Sequence, residues 1–385
     1  PDPTRFDRPA LSERSDPPGG LAPLPEPTGP ELMAEVNTLP RTSIAGRTPE
    51  PGAAAWVGPD ELSRLLHEAY APIAPWLAEA ERIYREELGS RSDYVQRLVE
   101  HASRFRGKQL RPALVLLTAQ ACGGVLPAHP VVAAVVEMIH TATLVHDDIL
   151  DEADVRRHAA TINAEWGNEP AVLLGDYLFT HAFHLAASLE STYACRVIGR
   201  ATNLVCEGEL QQIHHRGDLD LDEQSYYEIV RGKTAELTAV CCRLGAHYAG
   251  QPPEICDALD RFGRDLGVAF QIADDLLDLW GEEVATGKTL GTDLQKQKLT
   301  LPVIFLLRSA DRTEADAARR LVASPSAESR RKLRPMLESS GALEYAWDRA
   351  RSFVESARLE LAALPASPTR ETLAGLAQLV VRRCF

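Results

Sequence analysis

The sequence predicts an all-α protein, and three observations carry that expectation. Apolar residues recur every three or four positions from about residue 60 onward. Strand-like alternation bounded by hairpin turns is hard to find. Glycines and short polar runs such as RGDLDLDEQS separate the periodic segments. One large helical bundle of long helices and short loops follows. A chain of 385 residues with 45% hydrophobic content can bury such a core. No repeat of fixed period is visible, so a solenoid is not expected.

Taken in order, the first segment differs from the rest. Residues 1–59 hold half of the chain's 26 prolines, lack an apolar period and include DPPGGLAPLPEPTGP. That composition cannot bury enough surface to offset chain entropy, so a disordered Pro-rich tail is expected over 1–59 and a helical domain over 60–385. The tail lacks the basic start and apolar run of a secretory signal, and its acids argue against a transit peptide. After it, PDELSRLLHEAYAPIAPWLAEAERIYREEL has helical periodicity behind a capping Asp60. RPALVLLTAQACG is closed by Gly123 and Gly124, and HPVVAAVVEMIHTATLVHDDILDEAD is nearly all apolar until its acidic end. EPAVLLGDYLFTHAFHLAASLES and ACRVIGRATNLVCEGELQQIHH complete the middle of the bundle.

Charge and cysteine content narrow the function. A formal net charge of -14 argues against nucleic-acid binding, which needs clustered Lys and Arg. The seven cysteines are odd in number and form no C-x-x-C pair, which suggests neither a disulfide framework nor a zinc site and fits a reducing, cytoplasmic compartment. Apolar runs such as Val131 to Ile139 are shorter than the roughly 20 residues needed to span a bilayer, so no transmembrane segment is expected.

The stretch LVHDDILDEADVRRHAATINAEWG, Leu144 to Gly167, concentrates acid at the end of an apolar run. Asp147 and Asp151 are four apart and Asp148 and Asp151 three apart, so a helix gathers them on one face. Unit charges about 4 Å apart repel by roughly 4 kcal/mol at an effective dielectric near 20, which makes the cluster costly unless cations join it. For one such motif a solvated helix end is the plain alternative. A second copy, FQIADDLLDLWG, repeats D-D-x-x-D at Asp274, Asp275 and Asp278, again after an apolar helix. Two triplets of identical spacing read as two walls of one site. Hard oxygen ligands suit Mg²⁺, which keeps waters and bridges carboxylates to a phosphate.

A phosphate ligand calls for basic residues, and the chain supplies them. Lys108 and Arg111 lie in RGKQLRP, Arg156 and Arg157 follow the first triplet, Lys233 and Thr234 lie in RGKTAEL, and Lys288 and Lys298 follow the second triplet. G-K-T occurs twice, yet neither copy has the G-x-x-x-x-G-K spacing or a preceding strand, which excludes a nucleotide P-loop.

The ordered set GKQLRP, HTATLVHDDILDEADVRR, LLGDYLFTHAF, EGELQQ, GKTAEL, FQIADDLLD and GKTLGTDLQKQKLTLP resembles the signatures of the polyprenyl synthetase family, the head-to-tail trans-isoprenyl diphosphate synthases. The resemblance spans about residues 100 to 305. It implies the isoprenoid synthase bundle with a central apolar cavity and a Mg²⁺-dependent transfer of isopentenyl diphosphate onto an allylic diphosphate. It implies that both triplets hold metal, three ions per site, with Asp147, Asp151 and Asp274 as direct ligands, Asp148 in support, and Asp275 and Asp278 completing the second motif. Arg156, Lys233 and Lys288 would contact the allylic diphosphate, with Thr234 and Gln271 near the reacting carbons. Lys108, Arg111, His140, Arg157 and Lys298 would bind diphosphate, the first four that of isopentenyl diphosphate. Two departures are noted: Arg106-Gly107-Lys108-Gln109 replaces the usual G-G-K-R, and Gln297-Lys298 replaces the usual G-K.

Ala142 and Thr143 occupy the turn before Asp147, roughly 6 to 8 Å deeper at 1.5 Å per residue. Short-product members of the family often place an aromatic residue at the position of Ala142. A small residue there predicts a medium or long all-trans product, with Met138 and Ile139 deeper still. Geranylgeranyl or farnesyl diphosphate synthesis is the nearest alternative. A class I terpene cyclase fits poorly, because the second motif reads DDLLD, and a non-catalytic partner subunit fits poorly, because both triplets are intact. A homodimer is expected from the resemblance.

Overall fold

The computed structural model describes residues 58–105, 107–157, 159–280 and 291–382. The expected tail, up to residue 57, and Lys288 lie outside the described residues.

Helices α1 (Pro59–Tyr70) and α2 (Ala74–Glu87) occupy the first periodic segment. A 3-10 turn at Ala71–Ile73 interrupts it, because Pro72 and Pro75 lack the N–H groups that a continuous helix would use. Next come α3 (Asp93–Ser103), α4 (Leu110–Ala121) and α5 (Ala128–Leu150). Gly123 and Gly124, both at positive φ, close α4, and the Gly124 N–H donates back to the Ala119 carbonyl at 3.0 Å.

A feature not anticipated from periodicity follows α5. Val155–Arg156 (β1) pairs antiparallel with Ala159–Ala160 (β2), with Arg157 at φ +51° in the reversal. Two residues per strand are too few to leave an alternating pattern. The remaining middle helices are α6 (Ile162–Trp166), α7 (Asn168–Ala187), α8 (Tyr193–His214), α9 (Glu223–Val230), α10 (Glu236–Tyr248) and α11 (Pro253–Trp280). A π-helical turn, Arg231–Ala235, joins α9 to α10. The C-terminal part holds α12 (Thr292–Gln295), α13 (Leu301–Ser309), α14 (Arg312–Ala323), α15 (Ala327–Ser339), α16 (Ala342–Glu360) and α17 (Pro368–Val380). Caps drawn from the sequence start several of these: Asp222, Asp311, Ser326 and Ser367 each accept from a backbone N–H three residues on.

At the centre stands α5, packed against α2, α4, α7 and α10, while α11 packs against α10 and α16. By length and composition α5 could cross a membrane, yet 72% of its apolar window is buried inside the bundle, as in a core helix. Glycines let the helices approach closely. A Cβ on Gly267 of α11 would fall 2.6 Å from the Cα of Ala235, and one on Gly245 of α10 would fall 2.6 Å from the Val115 carbonyl of α4. The core is therefore dense around the two helices that carry the acidic motifs.

Candidate active site

The first triplet ends α5, but its three carboxylates do not act alike. Asp148 is buried at 1% exposure and takes a forked pair from Arg156, whose Nε donates at 2.8 Å and whose Nη2 lies 2.8 Å from the same oxygen. Burial pushes its carboxyl up, and Arg156 opposes that. Asp151 sits just past the helix end, where its N–H donates to the Asp147 carbonyl at 2.8 Å. Lys298 Nζ lies 3.1 Å from its Oδ1, Lys296 Nζ 3.1 Å from its Oδ2, and Arg216 3.7 Å from Oδ1. Burial would raise Asp151, yet Lys298 and Lys296 outweigh it and hold the carboxyl below the ordinary aspartate range. Asp147 is pushed up by burial despite the charge of Lys233, with Glu209 and Asp151 adding to the rise.

The opposite wall is α11. Asp275, 5% exposed, accepts from the Tyr226 hydroxyl at 2.6 Å and from Gln271 Nε2 at 2.7 Å. Burial and the neighbouring Asp293 push it well above the carboxylate range. Asp278 points to the start of α12, where it accepts from the N–H groups of Thr292 and Asp293 at 3.2 and 3.1 Å and from the Thr292 hydroxyl at 3.0 Å. Asp274 is half-buried, and its charge raises both Asp275 and Asp293. Asp293 itself is pushed up to about 7 by burial and by Asp278. Among the described residues no three His, Cys, Asp or Glu side chains are already gathered as a metal cage.

Beside α11 runs a cleft whose lining includes Gln212, Lys233, Thr234, Gln271, Asp275, Asp293 and Lys298, and Lys298 ties it to Asp151 at the end of α5. The π turn delivers Lys233 and Thr234 into it, and π turns often mark functional positions. Gly208 of α8 and Gly232 of the turn make this possible: a Cβ on Gly208 would fall 2.6 Å from the Lys233 nitrogen, and one on Gly232 would fall 2.8 Å from the Leu204 carbonyl. Lys233 Nζ then reaches Glu209 at 2.5 Å and Gln212 at 2.9 Å. Burial pulls its ammonium down, but Asp147 and Glu209 outweigh it and keep it charged. The Thr234 hydroxyl donates to Gln271 Oε1 at 2.8 Å, so a relay runs Thr234, Gln271, Asp275, Tyr226.

Two turns before Asp147 on α5, His140 sits in a cationic cluster. Arg111 Nη1 meets His140 Nε2 at 3.2 Å. Burial and the charges of Arg111, Arg157 and Arg156 push His140 well below its usual range, so the imidazole is neutral and Nε2 accepts, which assigns the proton to Nδ1. The Nε of Arg111 is buried with no hydrogen-bond partner among the described residues. Arg157 lies against Gly107, where a Cβ would fall 2.3 Å from its guanidinium. Burial and then Arg156 lower Arg157, so the cluster holds cations short of counter-charge, with the buried Glu137 opposing. Such a cluster suits a polyanion. Lys108 is exposed.

Of the sequence-predicted site residues within the described part, the structure brings Asp147, Asp151, Lys233 and Lys298 to one cleft and Arg111, His140 and Arg157 to one cluster. Asp275 lines that same cleft, its carboxylate held by Tyr226 and Gln271, whereas Asp148 takes Arg156 and Asp278 takes the start of α12. Ala142 is fully buried and Thr143 half-buried, its hydroxyl donating to the His140 carbonyl at 2.8 Å. Sequence reasoning missed Asp293, Lys296, Arg216, Glu209, Tyr226 and Glu137. Asp293, Lys296 and Glu209 stood inside quoted motifs, and Glu137 is a lone charge in an apolar run three before His140. Tyr226 carries no sequence signal.

Comparison with known proteins agrees with this geometry. The family model described as polyprenyl synthetase matches residues 92–339. The octaprenyl diphosphate synthase of Escherichia coli K12 is 38% identical over 301 residues, covering 77% of this chain and 93% of its own. The all-trans-nonaprenyl-diphosphate synthase (geranyl-diphosphate specific) of Rhodobacter capsulatus is 36% identical, over 81% of this chain and 96% of its own. A solved polyprenyl synthase from Caulobacter crescentus CB15, complexed with calcium and isoprenyl diphosphate, superposes with TM-score 0.78 at 35% identity, over 84% of this chain and 98% of that one. With its two aspartate-bearing helices facing a common cleft in an all-α bundle, the chain belongs to the polyprenyl synthetase family of prenyltransferases.

Proposed function

We propose that the protein condenses isopentenyl diphosphate with an allylic diphosphate, head to tail, to build an all-trans polyprenyl diphosphate of medium or long chain. The observation that carries this is the pairing of the acidic ends of α5 and α11, tied to one cleft by Lys298, with a cationic cluster of Arg111, Arg157 and neutral His140. Two diphosphates need two such places.

The carboxylates fit divalent cations. Asp147, Asp275 and Asp293 are all pushed up, by burial first and then by nearby carboxylates, Glu209 for Asp147, Asp293 for Asp275 and Asp278 for Asp293, and hard cations suit such sheltered, clustered oxygens. Asp147, Asp151 and Asp274 would hold Mg²⁺, and Asp148, Asp275 and Asp278 would brace them. When bound, Mg²⁺ neutralises the departing diphosphate. Three ions per site is the number we propose. Lys233, with Arg156, Lys298 and the undescribed Lys288, would orient the allylic diphosphate and stabilise the charge it gains on leaving. Arg111, Arg157, Lys108 and His140 would fix isopentenyl diphosphate so that its double bond meets the allylic carbon. Thr234 and Gln271 turn oxygens toward the cleft, where they would stabilise the carbocation. The apolar helices exclude water that would quench it.

The fully buried Ala142, Met138 and Ile139 support a long product, because Ala142 leaves room that a larger side chain would take. The exposed Leu173 on α7 and Leu210 and Ile213 on α8 support a homodimer through these helices. Free thiols at all six described cysteines support a cytoplasmic setting.

The test is incubation with Mg²⁺, labelled isopentenyl diphosphate and each of dimethylallyl, geranyl, farnesyl and geranylgeranyl diphosphates, then chromatography of the dephosphorylated products. Linear prenols are expected, the longest abundant one giving the chain length. Cyclic hydrocarbons, or no turnover with any primer, would refute the reading.

A further inference from the structure

Lys296 stands outside the diphosphate-binding set, yet it reaches a carboxylate of the first triplet. Both oxygens of Asp151 are engaged by different lysines: Oδ1 by Lys298 and Oδ2 by Lys296, each at 3.1 Å. The side chains of Lys296 and Asp151 are only 28% and 21% exposed, so solvent screens their attraction incompletely. The backbone builds this clasp. Gln297, between the two lysines, adopts φ +54°, a left-handed conformation that turns both neighbours toward Asp151. It is pinned there, since the Gly217 N–H donates to its carbonyl at 2.9 Å and its own Nε2 donates to the Ala323 carbonyl at 3.2 Å. A divalent cation that takes an oxygen of Asp151 must therefore displace an ammonium. Lys298 has a diphosphate to move to; Lys296 brings a positive charge that remains beside the metal.

We propose that Lys296 is an internal competitor for the divalent cation, setting the metal concentration at which the first aspartate triplet loads. This rests on the reading that Asp147 and Asp151 hold Mg²⁺. Removing one unit charge a few ångströms from a partly sheltered site should tighten metal binding by about 3- to 30-fold.

The test titrates Mn²⁺ alone into the whole protein, with free ion counted by electron paramagnetic resonance, for wild type, Lys296→Gln, Lys296→Arg and Asp151→Asn, each checked for native circular dichroism. The expected result is tighter Mn²⁺ binding by Lys296→Gln, near-wild-type binding by Lys296→Arg, and a matching fall in the Mg²⁺ needed for half-maximal turnover. Unchanged, weaker or undetectable Mn²⁺ binding by Lys296→Gln overturns the proposal, including the case where that variant instead raises KM for the allylic diphosphate. Wild-type Mn²⁺ affinity in Asp151→Asn would separately overturn the metal reading itself.

Discussion

Asp293 shows how one half-buried carboxyl links the site to the stability of the protein. Its folded pKa is raised to about 7 from an unfolded value of 3.8. Between those values the native state holds a proton that the unfolded state has lost, so metal-free stability falls as pH rises from about 4 to about 7. Asp275 has the same sign. In EDTA, Asp293→Asn should remove part of this slope, leaving the variant about 2–5 °C more stable than wild type at pH 8 and equal to it near pH 4, as read by thermal unfolding. A constant difference across pH would contradict the assignment. Gly175 is a second residue with a single reason for its identity. A Cβ there would fall 2.0 Å from His146 Nε2, and that ring neighbours Asp147 in the chain. Gly175→Ala should push His146 out of the α5–α7 seam, shift Asp147 and lower kcat at least about tenfold, with a destabilisation of about 1–3 kcal/mol.

At the scale of elements, the π turn between α9 and α10 matters most. An ordinary α-helix through Arg231–Ala235 would rotate Lys233 and Thr234 off the cleft, and the extra residue in the turn holds them in it. The turn depends on backbone contact with α8 through Gly208 and Gly232. Gly208→Ala should force the two segments apart and reduce turnover by about 100-fold, with weakened binding of the allylic substrate but not of isopentenyl diphosphate. Equal losses for both substrates would mean that the turn serves the whole bundle instead of Lys233. The hairpin after α5 has a comparable role, since Arg157 at φ +51° sends Arg156 to Asp148 and its own guanidinium to Gly107.

For the whole molecule, the arrangement of α5, α7 and α8 decides product length and assembly together. Ala142 lies one turn before His146 and so faces the seam with α7, whereas Thr143 lies one turn before Asp147 and shares its face. Ala142→Tyr should shorten the main product by at least one isoprene unit while costing about 1–3 kcal/mol from overpacking. An unchanged product distribution would defeat the steric account. The exposed Leu173 and Leu210, 67% and 66% accessible, should be covered in a dimer. Leu173→Glu with Leu210→Glu should yield a monomer in sedimentation velocity at concentrations where the wild type is a dimer.

The amino-acid sequence alone determined the class and much of the chemistry. Helical periodicity specified α4, α5, α7 and α8 nearly to their ends and the acidic end of α11, because burying an apolar stripe needs only neighbours of like character, whichever they are. The two D-D-x-x-D triplets and the basic runs named the reactive groups, since charge within an apolar helix has few other uses. Tertiary structure alone decided which partner each carboxylate meets. In the first triplet Asp148 takes Arg156 and Asp151 takes Lys296 and Lys298, whereas in the second, of the same spacing, Asp275 takes Tyr226 with Gln271 and Asp278 takes the start of α12. Lys298 carries a diphosphate-binding expectation in the sequence and Lys296 none, yet the left-handed Gln297 turns both onto Asp151, 147 and 145 residues away in the chain. Periodicity reports a residue's own environment along one helix, whereas a charge takes its energy from what stands across the cleft.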